Sequence, residues 1–162
     1  MKEIKDFYRG LGQFETYVGD LLIFENKIII PVYSSQVAKH PLNNTDIGIV
    51  HLDYCYYVFT GIAQSKRDVF RQVDDGFIEF SQTNFINTKI PTEGLTDFLL
   101  EMVDFNGLYQ YWNWKILAKS FSLIVDDNFI LREEPFTRQE MDVSFFERNH
   151  LEHLKFVLNV VM

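Results

Sequence analysis

Residues 47–62 read IGIVHLDYCYYVFTGI, and the interpretation of this stretch decides the fold. It offers no capping residue for a helix, few polar positions and no internal turn former, while Val, Ile, Tyr and Phe suit a pleated, half-buried surface. One long strand, or two joined through a bulge, is expected. Immediately downstream, residues 68–73 and 77–81 flank Asp74-Asp75-Gly76, where an Asp-Gly pair supplies the positive φ of a tight hairpin turn. Residues 47–81 thus predict an antiparallel meander. Upstream, residues 16–24 and 28–33 flank the polar break Glu25-Asn26-Lys27 and predict another hairpin, with Pro31 placing the second strand at a sheet edge because it cannot donate to a ladder. Residues 34–46, with Ser34-Ser35, His40-Pro41 and Asn43-Asn44-Thr45, read as a long loop.

Helices are expected at three places. Ile4, Phe7, Tyr8 and Leu11 follow the i, i+3, i+4, i+7 template, and Gly10 and Gly12 stop it. Leu95, Phe98, Leu99, Met102 and Val103 fit one helical face over residues 93–105, with Thr92 as N-cap and Asn106-Gly107 as terminator. Thr137-x-x-Glu140 and Ser144-x-x-Glu147 both have the capping-box form, and Ser144 is the better start for a C-terminal helix. Between these, residues 109–117 suit a strand, and 121–125 with 129–132 suit a hairpin around Asp126-Asp127-Asn128. The fold expected is α+β: an antiparallel, curved sheet of meanders and hairpins with two or three helices packed on one face. A small β-barrel or sandwich with helices plugging an end is the alternative.

The chain has 162 residues, 47% of them apolar, with 16 Phe, 8 Tyr and 2 Trp, which is enough to fold as one domain over 1–162 without disulfides or metals. Its single cysteine, Cys55, cannot form an internal disulfide, no signal-peptide pattern opens the chain, and no apolar run approaches a membrane span, so a cytoplasmic protein is expected. A formal charge of −8 with no basic cluster longer than Lys66-Arg67 argues against nucleic acid and anionic membranes as partners. The acidity concentrates between residues 72 and 104, where Asp74, Asp75, Glu79, Glu93, Asp97, Glu101 and Asp104 face Lys89 alone. Such a segment is either a solvated face or a steering patch for a basic partner.

Chemical constellations are sparse. His51, Asp53 and Cys55 at i, i+2 and i+4 of one strand share a face, yet four residues of strand separate the outer two by about 13 Å, too far for a thiolate and its base. His51 with Asp53 remains a pair that a pocket could use. Glu147, His150 and His153 have ligand-like helical spacing but lack a second helix bearing the remaining ligands, so no metal is assigned. Asp74-Asp75 and Asp126-Asp127 are turn residues rather than a calcium loop, and phosphate-cradling and nucleophile-elbow motifs are missing. No catalytic residue and no cofactor is assigned. Two aromatic groups, Tyr54, Tyr56, Tyr57, Phe59 and Tyr109, Tyr111, Trp112, Trp114, are core, interface or pocket wall.

Small size, acidity and lack of motif resemble the general profile of toxin-neutralising immunity proteins. The function expected is a non-enzymatic, cytoplasmic protein-binding module, an inhibitor or immunity type that neutralises a basic-surfaced partner. In it Asp74, Asp75, Glu79, Asp97, Glu101 and Asp104 steer the encounter and neighbouring aromatics anchor it. The alternative is a small-molecule-binding or hydrolytic domain with a pocket inside the curved sheet lined by His51, Asp53, Tyr57 and Trp114.

Overall fold

The computed structural model describes residues 1–13, 16–91, 93–104, 110–141 and 155–159, of which 103 and 104 by their backbone alone. Among the described residues ten strands follow one another: β1 (Lys2–Lys5), β2 (Leu11–Gly12), β3 (Tyr17–Val18), β4 (Leu22–Ile23), β5 (Lys27–Val37), β6 (Val50–Val73), β7 (Gly76–Ile86), β8 (Thr96–Asp104), β9 (Gln110–Val125) and β10 (Leu131–Arg132). They form one open antiparallel sheet whose longest path runs β1-β9-β6-β5-β2. The only helical turn among the described residues is 155–159. No helix there is long and apolar enough to cross a membrane.

β6 organises the sheet. Along one side it pairs first with β5, from Lys27↔Thr60 to Val37↔Val50, and then with β7, from Gln64↔Ile86 to Val73↔Gly76. Along its other side β9 pairs with both halves, from Val125↔Cys55 to Gln110↔Arg71. The exchange of partners falls at Gly61 to Ala63, where the register against β9 shifts between Ile62 and Gln64. Gly61 has φ 64°, and its N–H donates to the Asn26 carbonyl at 2.9 Å, while Asn87 N–H donates to Ala63 O at 2.8 Å. A bulge with a left-handed glycine bends a strand and raises its twist, so the two halves of β6 take different directions.

Residue alternation sorts the core onto two faces. Ile28, Ile30 and Val32 join Cys55, Tyr57 and Phe59 on the inner face, which continues through Ile62, Trp112, Trp114, Leu100 and Met102. Ile29, Tyr56, Val58 and Ile124 form a smaller outer cluster under Val157 of the helical turn. Phe121 lies centrally in the inner core, with ring centroids 5.2 Å from both Tyr8 and Phe59 and 5.8 Å from Tyr57.

Several expectations are overturned. The α+β class gives way to an almost purely antiparallel sheet, and the barrel alternative fails because the sheet is open. Residues 2–5 of the expected first helix are β1, paired with Ser122 to Val125. The expected helix over 93–105 is β8, paired with β9 from Thr96↔Ala118 to Asp104↔Gln110. Phe98, Leu100 and Met102 are buried in it and Leu99 is 47% exposed, which is period two. Phe98 and Met102, four apart, share a face in either period, and the deciding residue is Leu100, which the helical template passes over.

The strand expected over 47–62 begins at Val50 and continues to Val73 without a break. Residues 34–37, expected as loop, extend β5. Pro31 is not on an edge strand; its carbonyl accepts from Gly19 N–H at 2.9 Å, so its missing donor faces the gap between β3 and β4. Residues 129–132 form no hairpin with β9, since β10 pairs with β6 through Leu131↔Leu52 and Arg132↔His51. The 73–76 turn forms as expected, but the positive φ, 50°, belongs to Asp74, and Gly76 opens β7. The Thr137–Glu140 capping box closes a turn, with Thr137 Oγ1 3.0 Å from Glu140 Oε1, while Ser144 and the expected start of the C-terminal helix lie outside the described residues.

A Cβ on Gly61 would sit 2.7 Å from Lys119 Cγ, in a backbone conformation that costs an L-residue about 1–2 kcal/mol. Gly61→Ala should therefore lower the unfolding free energy by about that amount in urea titration with an unchanged m-value, whereas Asp74→Gly should shift it by less than about 0.5 kcal/mol.

Candidate interaction surface

Beyond the exchange point, β7, β6, β9 and β8 lie side by side as a four-stranded arm. Its inner face carries the core rows Thr83–Arg67–Trp114–Leu100 and Ser81–Val69–Trp112–Met102. There the Arg67 guanidinium lies 5.4 Å and 5.0 Å from the Trp112 and Trp114 ring centroids, and Trp114 Nε1 donates to Ser65 Oγ at 2.6 Å. Burial lowers the Arg67 pKa, and its Nε has no hydrogen-bond partner among the described residues.

Intervening residues make the outer face. Its rows are Ile86–Gln64–Leu117–Asp97, Asn84–Lys66–Lys115–Leu99, Gln82–Asp68–Asn113–Glu101 and, past a register shift at Val69/Phe70, Glu79–Phe70–Tyr111. The Tyr111 ring lies 6.0 Å from Phe70 and 6.3 Å from Phe77, forming an aromatic group near the hairpin tip. Phe77, Phe80 and Ile86 are 53%, 52% and 69% exposed.

The expected steering residues distribute over this arm unevenly. Asp74 and Asp75 form the tip, and Glu79 and Glu101 flank the aromatic group. Glu101 also helps to raise the Tyr111 pKa, after the larger effect of burial. Asp104 ends β8 at the same end, its side chain outside the described residues. Asp97 stands apart, four residues or about 13 Å from Glu101, with Lys66 and Lys115 in the row between them. These lysines come from neighbouring strands and dilute the acidity that residues 72–104 show in isolation.

The four expected pocket residues do not come together. Tyr57 and Trp114 are fully buried in the inner core, with Tyr57 Oη hydrogen-bonded to Ser35 Oγ. A cavity of 30 Å³ touches Trp114, Arg67, Ser65 and Phe85 but none of the other three, and that volume suits about one or two waters. A wider cleft of 630 Å³, lined by Tyr8, Arg9, Lys39, Asp97, Phe98 and Lys119 among others, includes none of the four.

His51 and Cys55 do not share a face, despite their spacing. Leu52 and Cys55 both reach the inner core, so alternation changes phase between them, opposite Ser34 with φ 66°. The irregularity is tied down on both strands: Ser34 Oγ accepts from Phe136 N–H at 3.0 Å and Asp53 Oδ1 from Ile130 N–H at 3.1 Å. His51 Nδ1 lies 3.1 Å from Glu133 O, and its buried Nε2 has no partner among the described residues. Burial raises the pKa of both Asp53 and Cys55. Glu147, His150 and His153 lie outside the described residues, among which no three of His, Cys, Asp or Glu are grouped to hold a metal.

Of the aromatic groups, Tyr56, Tyr57, Phe59, Trp112 and Trp114 are core. Tyr111 faces outward, where Phe70 and Phe77 join it. Sequence reasoning missed these two, although their flanking of a polar hairpin turn was the available signal.

Next to His51, Arg132 clips the chain. Its Nη1 and Nη2 donate to Glu140 at 2.6 and 2.8 Å, and its guanidinium stacks 3.8 Å from the Phe136 ring centroid. Hydrogen bonds from Arg132 and Thr137 lower the Glu140 pKa from 4.5 to about 2. A carboxylate depressed on folding contributes stability above its unfolded pKa and loses it as pH falls through the folded one. Wild type and Glu140→Gln should therefore differ in thermal midpoint above pH 4.5 and converge toward pH 2; a difference constant across that window would contradict the clip.

Comparison of the chain with protein-family models, with curated proteins and with solved structures finds no match.

Proposed function

We propose that the chain is a non-enzymatic, cytoplasmic binding module of the inhibitor or immunity type, which engages a basic-surfaced protein through the tip of the β6–β7 arm. The observation that carries the reading is the outer aromatic group of Phe70, Phe77 and Tyr111, with Phe77 53% exposed and Glu79, Glu101, Asp74 and Asp75 around it. Aromatic side chains lose little rotamer entropy on docking and supply much of an interface's energy once a rim excludes water. A surrounding set of acids raises the rate of encounter with a basic surface and rejects acidic ones.

Roles divide accordingly. Asp74, Asp75, Glu79 and Glu101, joined by Asp104 at the end of β8, steer the approach, and Phe77 and Tyr111 are desolvated in the complex. Asp97, beyond the lysine row and on the rim of the 630 Å³ cleft, contributes least.

The test is affinity capture from native lysate with the wild-type chain, Glu79→Lys/Glu101→Lys and Phe77→Ser/Tyr111→Ser. One partner should be lost by both variants, and its retention by wild type should weaken with added salt. Capture that survives the charge reversal and high salt would sink the steering model, and capture that survives loss of both aromatics would sink the proposed surface.

A further inference from the structure

We propose that the free edge of β7 is a self-association site, at which two copies of this chain pair antiparallel about a two-fold axis at Asn84. β7 is 11 residues long, pairs among the described residues only with β6, and is exposed at all positions except Ser81 and Phe85, which are half-buried. Its hydrogen-bonding phase is fixed by Asn87 N–H donating to Ala63 O at 2.8 Å. Counting back through the alternating pairs, Phe85 and Thr83 bond β6, while the N–H and C=O groups of Gln82, Asn84 and Ile86 point away from it. Three residues thus present six outward backbone groups along a charge-free run from Ser81 to Asn87.

A two-fold centred on Asn84 is the arrangement that pairs all three outward residues within this run. Asn84 faces Asn84 of the second copy, and Gln82 of each faces Ile86 of the other. Charge favours the same arrangement. Glu79, the sole charged residue of β7, is directed toward the segment bearing Lys89 of the second copy, whose side chain is 82% exposed and makes only a long, exposed ion pair of 3.5 Å with Glu25 of its own chain. The acidic tips at Asp74 and Asp75, about ten residues from the axis, point in opposite directions, whereas a parallel pairing would align them.

A copy adding to the other edge of the arm meets the reverse conditions. β8 carries Asp97, Glu101 and Asp104 within nine residues, and Tyr8 Oη already donates to the Leu99 carbonyl at 2.5 Å. Acidic residues and a covered carbonyl are devices that block strand addition, and β7 has neither along residues 81–87. Because the isologous contact consumes both β7 edges, association closes at a dimer with a continuous eight-stranded sheet rather than extending into a fibre.

The full-length chain should show a concentration-dependent monomer–dimer equilibrium by sedimentation. Asn84→Pro removes an N–H that bonds nothing among the described residues, so this variant should match the wild-type thermal midpoint at dilutions where the wild type is monomeric and should sediment as a monomer at all concentrations. Asn84→Cys should oxidise to a covalent dimer, since residues in a hydrogen-bonded antiparallel pair have Cα atoms about 5.5 Å apart, within disulfide range, and native Cys55 is buried. Thr45→Cys, on an exposed loop, serves as the control. A wild-type chain that stays monomeric at all concentrations overturns the proposal, as does an Asn84→Pro variant that dimerises unchanged or an Asn84→Cys variant that crosslinks no more than Thr45→Cys. Should Asn84→Pro not fold, Asn84→Lys, which sets like charges at the axis, gives the same reading. The inference goes beyond the partner-binding reading, because Asn84→Pro leaves Phe70, Phe77 and Tyr111 in place and partner capture by that variant is scored separately.

Discussion

The exchange of partners along β6 is the constraint on which the rest of the structure depends. A single 24-residue strand gives up β5 and takes on β7 within three residues, and its polar backbone must stay satisfied through the break. Asn26 O does this by accepting from Gly61 N–H at 2.9 Å, and Gly61 alone supplies the left-handed conformation without a side-chain penalty. β9 spans the break as a splint, since it pairs with β6 on both sides of it. Without the bulge β5 and β7 would compete for one edge; with it, two half-sheets share a single inner core.

The halves differ in how many faces they bury, and β6 records the difference. Residues 54–60 are apolar or aromatic at nearly every position because both faces are covered: Tyr57 and Phe59 lie in the inner core, and Tyr56 and Val58 lie under the helical turn. Past Ile62 the strand alternates, with Gln64, Lys66 and Asp68 outward and Val69 inward. A continuous apolar run marks a two-sided strand and alternation marks a one-sided one. The arm is therefore the part of the sheet with an uncovered face, and its exposed aromatics stand out because the residues around them are polar.

The strand character of residues 47–62, the hairpin at 73–76 and the antiparallel order were legible in the sequence, whereas the continuation of that strand through residues 63–73 was not, since 68–73 read as a strand of its own. Residues 93–105 were not, because Phe98 and Met102 satisfy both periods and the choice is made by β9, whose buried row Trp112–Trp114–Ile116 pairs with Met102, Leu100 and Phe98. Tertiary context overrode local periodicity. The His51–Asp53–Cys55 face failed for a related reason: the phase change opposite Ser34 depends on Phe136, about a hundred residues away in sequence, donating to Ser34 Oγ. The acidic patch was read from one segment, while the charge of a sheet face is summed across strands, and Lys66 and Lys115 enter from β6 and β9.

One-sided burial also separates the packed face of the arm from its exposed face. Its anchorage is the inner face, where Trp112, Trp114, Leu100 and Met102 are buried and Arg67 stacks on both indoles. Phe77, Glu79 and Glu101 on the outer face take no part in that packing, so replacing them removes little buried area and should leave the unfolding free energy within the small range typical of surface positions. The pair His51 and Asp53 lacks this freedom, because Asp53 Oδ1 holds Ile130 N–H and His51 holds Glu133 O, and both thereby fasten β10 to β6. A surface that can change its chemistry without loosening the core can be tuned to a partner, and in this molecule the outer face of the arm meets that condition while the seam around His51 does not.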